Sequence, residues 1–242
     1  MTKIHTCSTT SNDVSGGKSH NNDGFRPTKK KAVIYVGRPK SGKDTQTEPL
    51  LKLGEPVLVT GKHLKNLALA NPNDPRYSPI IEGRLVDDSM TTWVTKRWIV
   101  QSIKERPGHN HLHLNGVPRR PGQICVIPFL QDLKYDVYCV WFTTPHEVCE
   151  MRLREGRFED EDPNVGKNRK HVYETETIPM LDMLNTFGIC EESGNLLKID
   201  NTNLTPVETA AQLIAFLSLP YHPRQMFPDR PIPALGQFAT PK

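Results

Sequence analysis

Five short apolar runs recur along the chain, each followed by mixed apolar and polar sequence long enough for a helix. They are Ala32–Val36, Pro56–Val59, His111–Leu114, Val137–Phe142 and Leu196–Ile199. The first is the clearest, an unbroken apolar stretch that ends at Gly37. A strand without polar alternation suits the interior of a parallel sheet, where both faces are covered. Helix-like segments follow at about 43–53, 60–70, 121–133, 145–155 and 205–218. Two more, at 88–105 and about 164–187, precede the third and fifth strands. Strands alternating with helices predict an α/β domain, a five-stranded parallel sheet with helices on both faces.

The two ends break this pattern. Residues 1–30 are rich in Ser, Thr, Asn, Gly and Lys, with Phe25 the only aromatic. Such a segment buries too little apolar area to offset its ordering entropy, so a disordered leader is expected. Residues 219–242 hold Pro220, Pro223, Pro228, Pro231, Pro233 and Pro241 and read as an extended tail. Tyr221, Met226, Phe227 and Phe238 give that tail apolar anchors against the body. The folded domain is therefore expected over 31–218.

Charge narrows the function. The formal net charge is +4. Lys3, Lys18, Arg26, Lys29, Lys30 and Lys31 against Asp13 and Asp23 place all of it in the leader. The body is neutral overall, which argues against nucleic acid as a partner. No stretch approaches the roughly 20 apolar residues needed to span a bilayer. No apolar run follows Lys3, so the start does not read as a secretory signal. Cys7, Cys125, Cys139, Cys149 and Cys190 are scattered, without a CxxC pair, and read as reduced thiols. A cytoplasmic protein is expected.

The candidate chemistry begins directly after the first strand, at Gly37-Arg38-Pro39-Lys40-Ser41-Gly42-Lys43-Asp44-Thr45. The spacing G-x-x-x-x-G-K before a hydroxyl residue is that of a phosphate-binding loop. Its glycines let successive backbone N–H groups face an anion, the next helix adds its positive end, and the lysine reaches the outer phosphates. The strand before it and the helix after it are the required setting. Gly37, Arg38, Lys40, Ser41, Gly42, Lys43, Asp44 and Thr45 are the expected nucleoside-triphosphate contacts.

Gly37 to Gln46, read as G-x-P-x-x-G-K-x-T-Q, resembles the adenylate kinase and related nucleoside monophosphate kinase family. The family usually has glycine where this chain has Lys40 and Asp44. The resemblance runs from about residue 32 to 217. Val59-Thr60-Gly61-Lys62-His63-Leu64-Lys65 is similar to the family's S-T-G-D-x-L-R, which implies that Thr60 meets the acceptor base and Lys65 its phosphate. Gly83-Arg84-Leu85-Val86-Asp87-Asp88 resembles G-x-L-V-P-D, whose backbone lines the acceptor base, and so implicates Val86. Leu114-Asn115-Gly116-Val117-Pro118-Arg119, with Gln123 beyond it, resembles L-D-G-F-P-R-x-x-x-Q. That match implies Gly116 in the acceptor site and Arg119 at the acceptor and transferred phosphates. Gln123, with a donor and an acceptor for an adenine edge, favours AMP.

After the fourth strand, Arg152-Leu153 looks like the start of the family's lid, where the arginine packs on the donor base. Arg157-Phe158-Glu159-Asp160 is similar to its R-x-D-D, and Arg169 with Tyr173, Thr177 and Pro179 matches R-x-x-x-Y-x-x-x-T-x-P. The lid is expected at about 155–166, after an acceptor-binding region at about 60–105. It holds no cysteine for the four-cysteine zinc site of some relatives, so no structural zinc is expected. His109, His111 and His113 lack a third-ligand pattern and are not expected to bind zinc. Arg154 reads as a solvated helix face, and Trp93 and Trp98 as packing residues.

The resemblance implies a P-loop NTPase-like fold with a small helical acceptor region and a short lid. The implied reaction is ATP plus AMP to two ADP, in a monomer that acts on nucleotides with Mg²⁺ held through Thr45. Lys43, Arg119, Arg157 and Arg169 are the implied catalytic residues. Two family acids are missing: Lys62 and Asn115 stand in their places. Either another carboxylate such as Asp44 compensates for them, or the chain is a catalytically impaired homologue that serves as a nucleotide sensor or scaffold.

Overall fold

The computed structural model describes residues 29–81, 86–155 and 170–230. Its elements in chain order are β1 (Lys31–Gly37), α1 (Lys43–Lys52), β2 (Val57–Val59), α2 (Thr60–Ala70) and α3 (Asp88–Glu105). They continue with β3 (His111–Asn115), α4 (Val126–Asp132), β4 (Asp136–Phe142), α5 (His146–Glu155), α6 (Ile178–Met183), β5 (Leu196–Ile199) and α7 (Pro206–Leu217). The strands form one sheet in the order β2-β3-β1-β4-β5, every pair parallel. β1 is central, and Ala32 to Val36 are all buried there.

Side chains along a strand alternate between faces, so β1 feeds two cores. Ala32, Ile34 and Val36 pack with Ile99 of α3, Ile127 and Leu130 of α4, and Met180 of α6. Val33 and Tyr35 pack with Leu50 of α1, Leu213 and Leu217 of α7, and Met226 and Phe227 beyond it. Covering both faces explains why β1 reads as an unbroken apolar run. The fold class expected from the sequence is the one observed.

Two helical segments differ from their expected form. The stretch expected over 121–133 is a 3₁₀ turn, Pro121–Gln123, followed by a separate α4. In the segment expected over 164–187, the described part holds a π-helical turn, Tyr173–Thr177, then α6, then a 3₁₀ turn, Leu184–Phe187. Pro179 has no N–H for a bond to the carbonyl four residues back, so the wider turn falls where an α-helical bond is missing. Of the two tryptophans, Trp98 packs against the core, while Trp93 is exposed with the guanidinium groups of Arg76 and Arg97 each 5.5 Å from a ring centroid. Among the described residues, no helix is long and apolar enough to cross a membrane. Cys125, Cys139, Cys149 and Cys190 are free thiols.

Candidate active site

The chain leaves β1 at Gly37, turns, and enters α1 at Lys43. Gly42, the residue before the helix, has φ 101°, and a Cβ there would lie 2.5 Å from Asn201 Nδ2. Both the dihedral and the contact require glycine. The buried Ser41 is held through its carbonyl, which accepts from Asn201 Nδ2 at 2.9 Å and from Thr144 Oγ1 at 3.3 Å. Lys43 Nζ donates to the carbonyls of Gly37 at 2.8 Å and Arg38 at 2.7 Å, closing the loop around its own ammonium. Burial pulls the Lys43 pKa down to about 8, with the neighbouring Asp44 charge acting against that fall. Lys40 adopts φ 62°. The loop thus keeps a left-handed bend without the glycine, which costs on the order of 1 kcal/mol.

Two clefts meet at Asp44. The first, of about 440 Å³, is lined by five cationic side chains, Lys40, Lys43, Lys62, Lys65 and Arg119, and by a single acid, Asp44. That imbalance suits phosphate groups. Gly116, with φ 89°, keeps the space beside Arg119 open, since a Cβ there would lie 3.2 Å from Arg119 Nη2. Asn115, at the end of β3, is buried, and its Nδ2 donates to Asp44 Oδ1 at 2.7 Å and to Thr47 Oγ1 at 3.0 Å. The amide that replaces the family's acid therefore touches the carboxylate that replaces the loop's glycine. Thr60 Oγ1 donates to the Asn115 carbonyl at 3.1 Å, tying the first turn of α2 to β3.

Gln123 is buried and is not part of this cleft's wall, and both ends of its amide are engaged. Its Oε1 accepts from the Arg119 N–H at 2.8 Å, and its Nε2 donates to Asp88 Oδ1 at 2.8 Å. Asp88 also pairs with Arg120 Nε at 2.8 Å, and Arg120 Nη2 donates to the Val86 carbonyl at 2.6 Å. A carboxylate only accepts and an N–H only donates, so these neighbours fix which way the Gln123 amide points.

The second cleft, of about 430 Å³, includes Lys40, Gly42, Asp44, Thr45, Arg152 and Asn201 in its wall. The edge of the Arg152 guanidinium is taken up by Asn201, with Nη1 to Oδ1 and Nη2 to the carbonyl both at 2.9 Å. Asn201 thus joins the phosphate loop, Arg152 and Thr144, whose Oγ1 donates to Asn201 Oδ1 at 2.8 Å. A lone asparagine after a strand carries no sequence signal, and the reading of motifs missed it. Arg38 turns from both clefts: it pairs with Glu174 at 3.0 Å and lies over the Tyr173 ring at 4.6 Å. Arg157, Arg169 and the lid from residue 156 onward lie outside the described residues.

No protein-family model matches the chain. Adenylate kinase 1 of Synechocystis sp. is 30% identical to it over 195 residues, covering 75% of this chain and 93% of that protein. The chain belongs to the nucleoside monophosphate kinase family. The kinase is also 29% identical over 192 residues to the adenylate kinase of Leptospira biflexa, with 73% of this chain and all of that protein covered. Its identity to the UMP-CMP kinase of Homo sapiens is 29% over 180 residues, 69% of this chain and 87% of that protein. Nucleotides are its substrates, and its activity is phosphoryl transfer to a nucleoside monophosphate.

A histidine cluster lies behind the kinase's sheet edge. His109 Nδ1, His111 Nδ1 and His113 Nε2 stand 3.6, 3.9 and 4.0 Å from the carboxylate of Glu55, which is itself buried. Among the described residues no group of three or more His, Cys, Asp or Glu is placed to hold a metal ion. Burial lowers the His113 pKa to about 3, so its imidazole stays neutral despite the nearby carboxylate. The Tyr35 hydroxyl bonds its Nδ1 at 2.9 Å.

Proposed function

We propose that the acceptor is AMP, so that the kinase converts ATP and AMP into two ADP. A phosphate oxygen of AMP bonds to the γ-phosphorus of ATP, and the bond from that phosphorus to the β,γ-bridging oxygen breaks. Little covalent help is needed for this transfer; alignment and positive charge are. Lys43 and the loop amides hold the donor phosphates, and Lys65 and Arg119 hold the acceptor phosphate. Thr60, Val86, Gly116 and Gln123 frame the acceptor base, and Arg152 offers the face of its guanidinium to the donor base. Arg157 and Arg169 complete the set around the moving phosphoryl group. The cytoplasm is the proposed compartment, and a monomer the proposed working form.

The observation that supports AMP is the fixed amide of Gln123. Its Oε1 and Nε2 each have one bond spoken for, so the amide keeps one acceptor and one donor site, the pair that an adenine edge needs. Gln123→Ala is expected to raise KM for AMP by about 10-fold or more, the loss of one to three kcal/mol of paired polar contact, with KM for ATP unchanged. An unaltered KM for AMP would remove Gln123 from base reading. The similar identity to a UMP-CMP kinase favours a second reading, in which a pyrimidine monophosphate is the acceptor.

The donor set fits Mg²⁺ bound with ATP. The hydroxyl of exposed Thr45 and the carboxylate of Asp44 both line the donor cleft, hard oxygen donors of the kind this ion takes. Bound there, the ion neutralises charge on the β- and γ-phosphate oxygens. Asn115 holds the Asp44 carboxylate in place from the acceptor side.

A further inference from the structure

The C-terminal segment after α7 is the part of the described chain that the kinase reading leaves without a role. It does not hang free. Leu219, Met226 and Phe227 are buried in the core cluster that also holds Leu50 of α1 and Leu213 and Leu217 of α7. Tyr221 donates its hydroxyl to Glu55 Oε1 at 2.5 Å. His222 caps a single helical turn, Pro223–Met226: its Nδ1 accepts from the Arg224 N–H at 3.2 Å, and its own N–H donates to Gln225 Oε1 at 2.7 Å.

The segment meets α1 at both ends. Glu55 lies three residues past Lys52, where the helix stops, and Arg230 lines the donor cleft beside Thr45 and Gln46 of the first turn. A ten-residue helix separates those points, about 15 Å at 1.5 Å per residue. The buried anchors between them hold the segment over that distance as a strap.

The strap delivers a guanidinium to the nucleotide. Of the two in the donor cleft, that of Arg152 spends its edge on Asn201. Among the described residues Arg230 has no ion pair with a carboxylate, and its guanidinium carbon lies 5.8 Å from the centroid of the Phe227 ring. Its N–H fork is therefore available to the oxygens of a ligand. The acceptor cleft does not include Arg230.

We propose that the C-terminal segment completes the donor site: Arg230 binds the donor nucleoside triphosphate through its N–H fork, and the Tyr221–Glu55 hydrogen bond fastens the strap that carries it. This rests on the reading of the second cleft as the ATP site. The full-length chain is titrated with a fluorescent ATP analogue, and KM is measured for ATP and for the monophosphate. Arg230→Ala is expected to weaken the analogue and raise KM for ATP about tenfold, leaving KM for the monophosphate and the melting temperature unchanged. Arg230→Lys is expected to recover part of that loss through its charge. Tyr221→Phe, at the far end of α1, is expected to weaken ATP several-fold with the same selectivity. ATP affinity in Arg230→Ala within twofold of the parent would overturn the proposal. So would an equal loss for both substrates, which would mark general damage. If the parent chain itself fails to bind the analogue, the reading of the cleft falls first, and the proposal falls with it.

Discussion

Replacing Asn115 with aspartate restores the family's acid, and the structure expects it to harm this chain. The Asn115 amide nitrogen is 2.7 Å from Asp44 Oδ1, so Asn115→Asp would set two carboxylate oxygens about that far apart. Coulomb's law puts two unit charges about 3 Å apart at roughly 5 kcal/mol of repulsion with an effective dielectric of about 20. Asp44 is open to solvent while Asn115 is buried, and screening leaves about 2 kcal/mol. The pair relieves that energy by holding one proton between its two carboxyls. The variant should therefore lose about 2 kcal/mol of stability at pH 8 and less at pH 5, where the shared proton is partly bound. Urea unfolding at the two pH values reads the difference. The double variant Asn115→Asp with Asp44→Gly, which moves the single acid to the family's position, should regain the loss. A single variant as stable as the parent at pH 8 would refute the view that Asp44 and Asn115 share one site for one negative charge.

Lys43 gives a second expectation. Its pKa in the free protein is about 8, and phosphates raise it in the complex, so binding that depends on the ammonium is complete below pH 8 and declines above it. The Kd for ATP should rise by up to about tenfold per pH unit between pH 8 and 9.5, and a flat profile would contradict the role of Lys43. His113 gives a third. The unfolded chain protonates this residue near 6.5 and the folded protein only near 3, so the unfolded state holds the extra proton between those values and stability falls as pH drops. His113→Asn should remove up to about 1.4 kcal/mol per pH unit from the acid-side slope, measured between pH 6.5 and 5. An unchanged slope would show that the imidazole is charged in the folded state.

Much of the fold was legible because the central strand is buried on both faces. Ala32 to Val36 needed no tertiary information to read as a central strand. The phosphate loop was equally plain, since its glycine and lysine spacing lies within one short stretch of sequence. What escaped the sequence depends on contacts between distant residues. Asn201 reaches Ser41 across 160 positions, and Glu55 meets His113 and Tyr221 from far along the chain. The sequence offered Asp44 as a carboxylate that could compensate for the acid lost at Asn115, without placing the two residues together. Only the 2.7 Å contact makes them one arrangement. Gln123 was picked as a base reader from its amide chemistry, while the Asp88 and Arg119 groups that orient it are a matter of packing.

The central claim is tested most directly by a coupled assay that follows ADP production from ATP and Mg²⁺ with AMP, CMP, UMP and their deoxy forms in turn. The account predicts turnover with a clear preference for AMP. A preference for CMP or UMP would overturn the acceptor, and ATP binding without turnover on any of them would contradict the claim that this site is a working kinase.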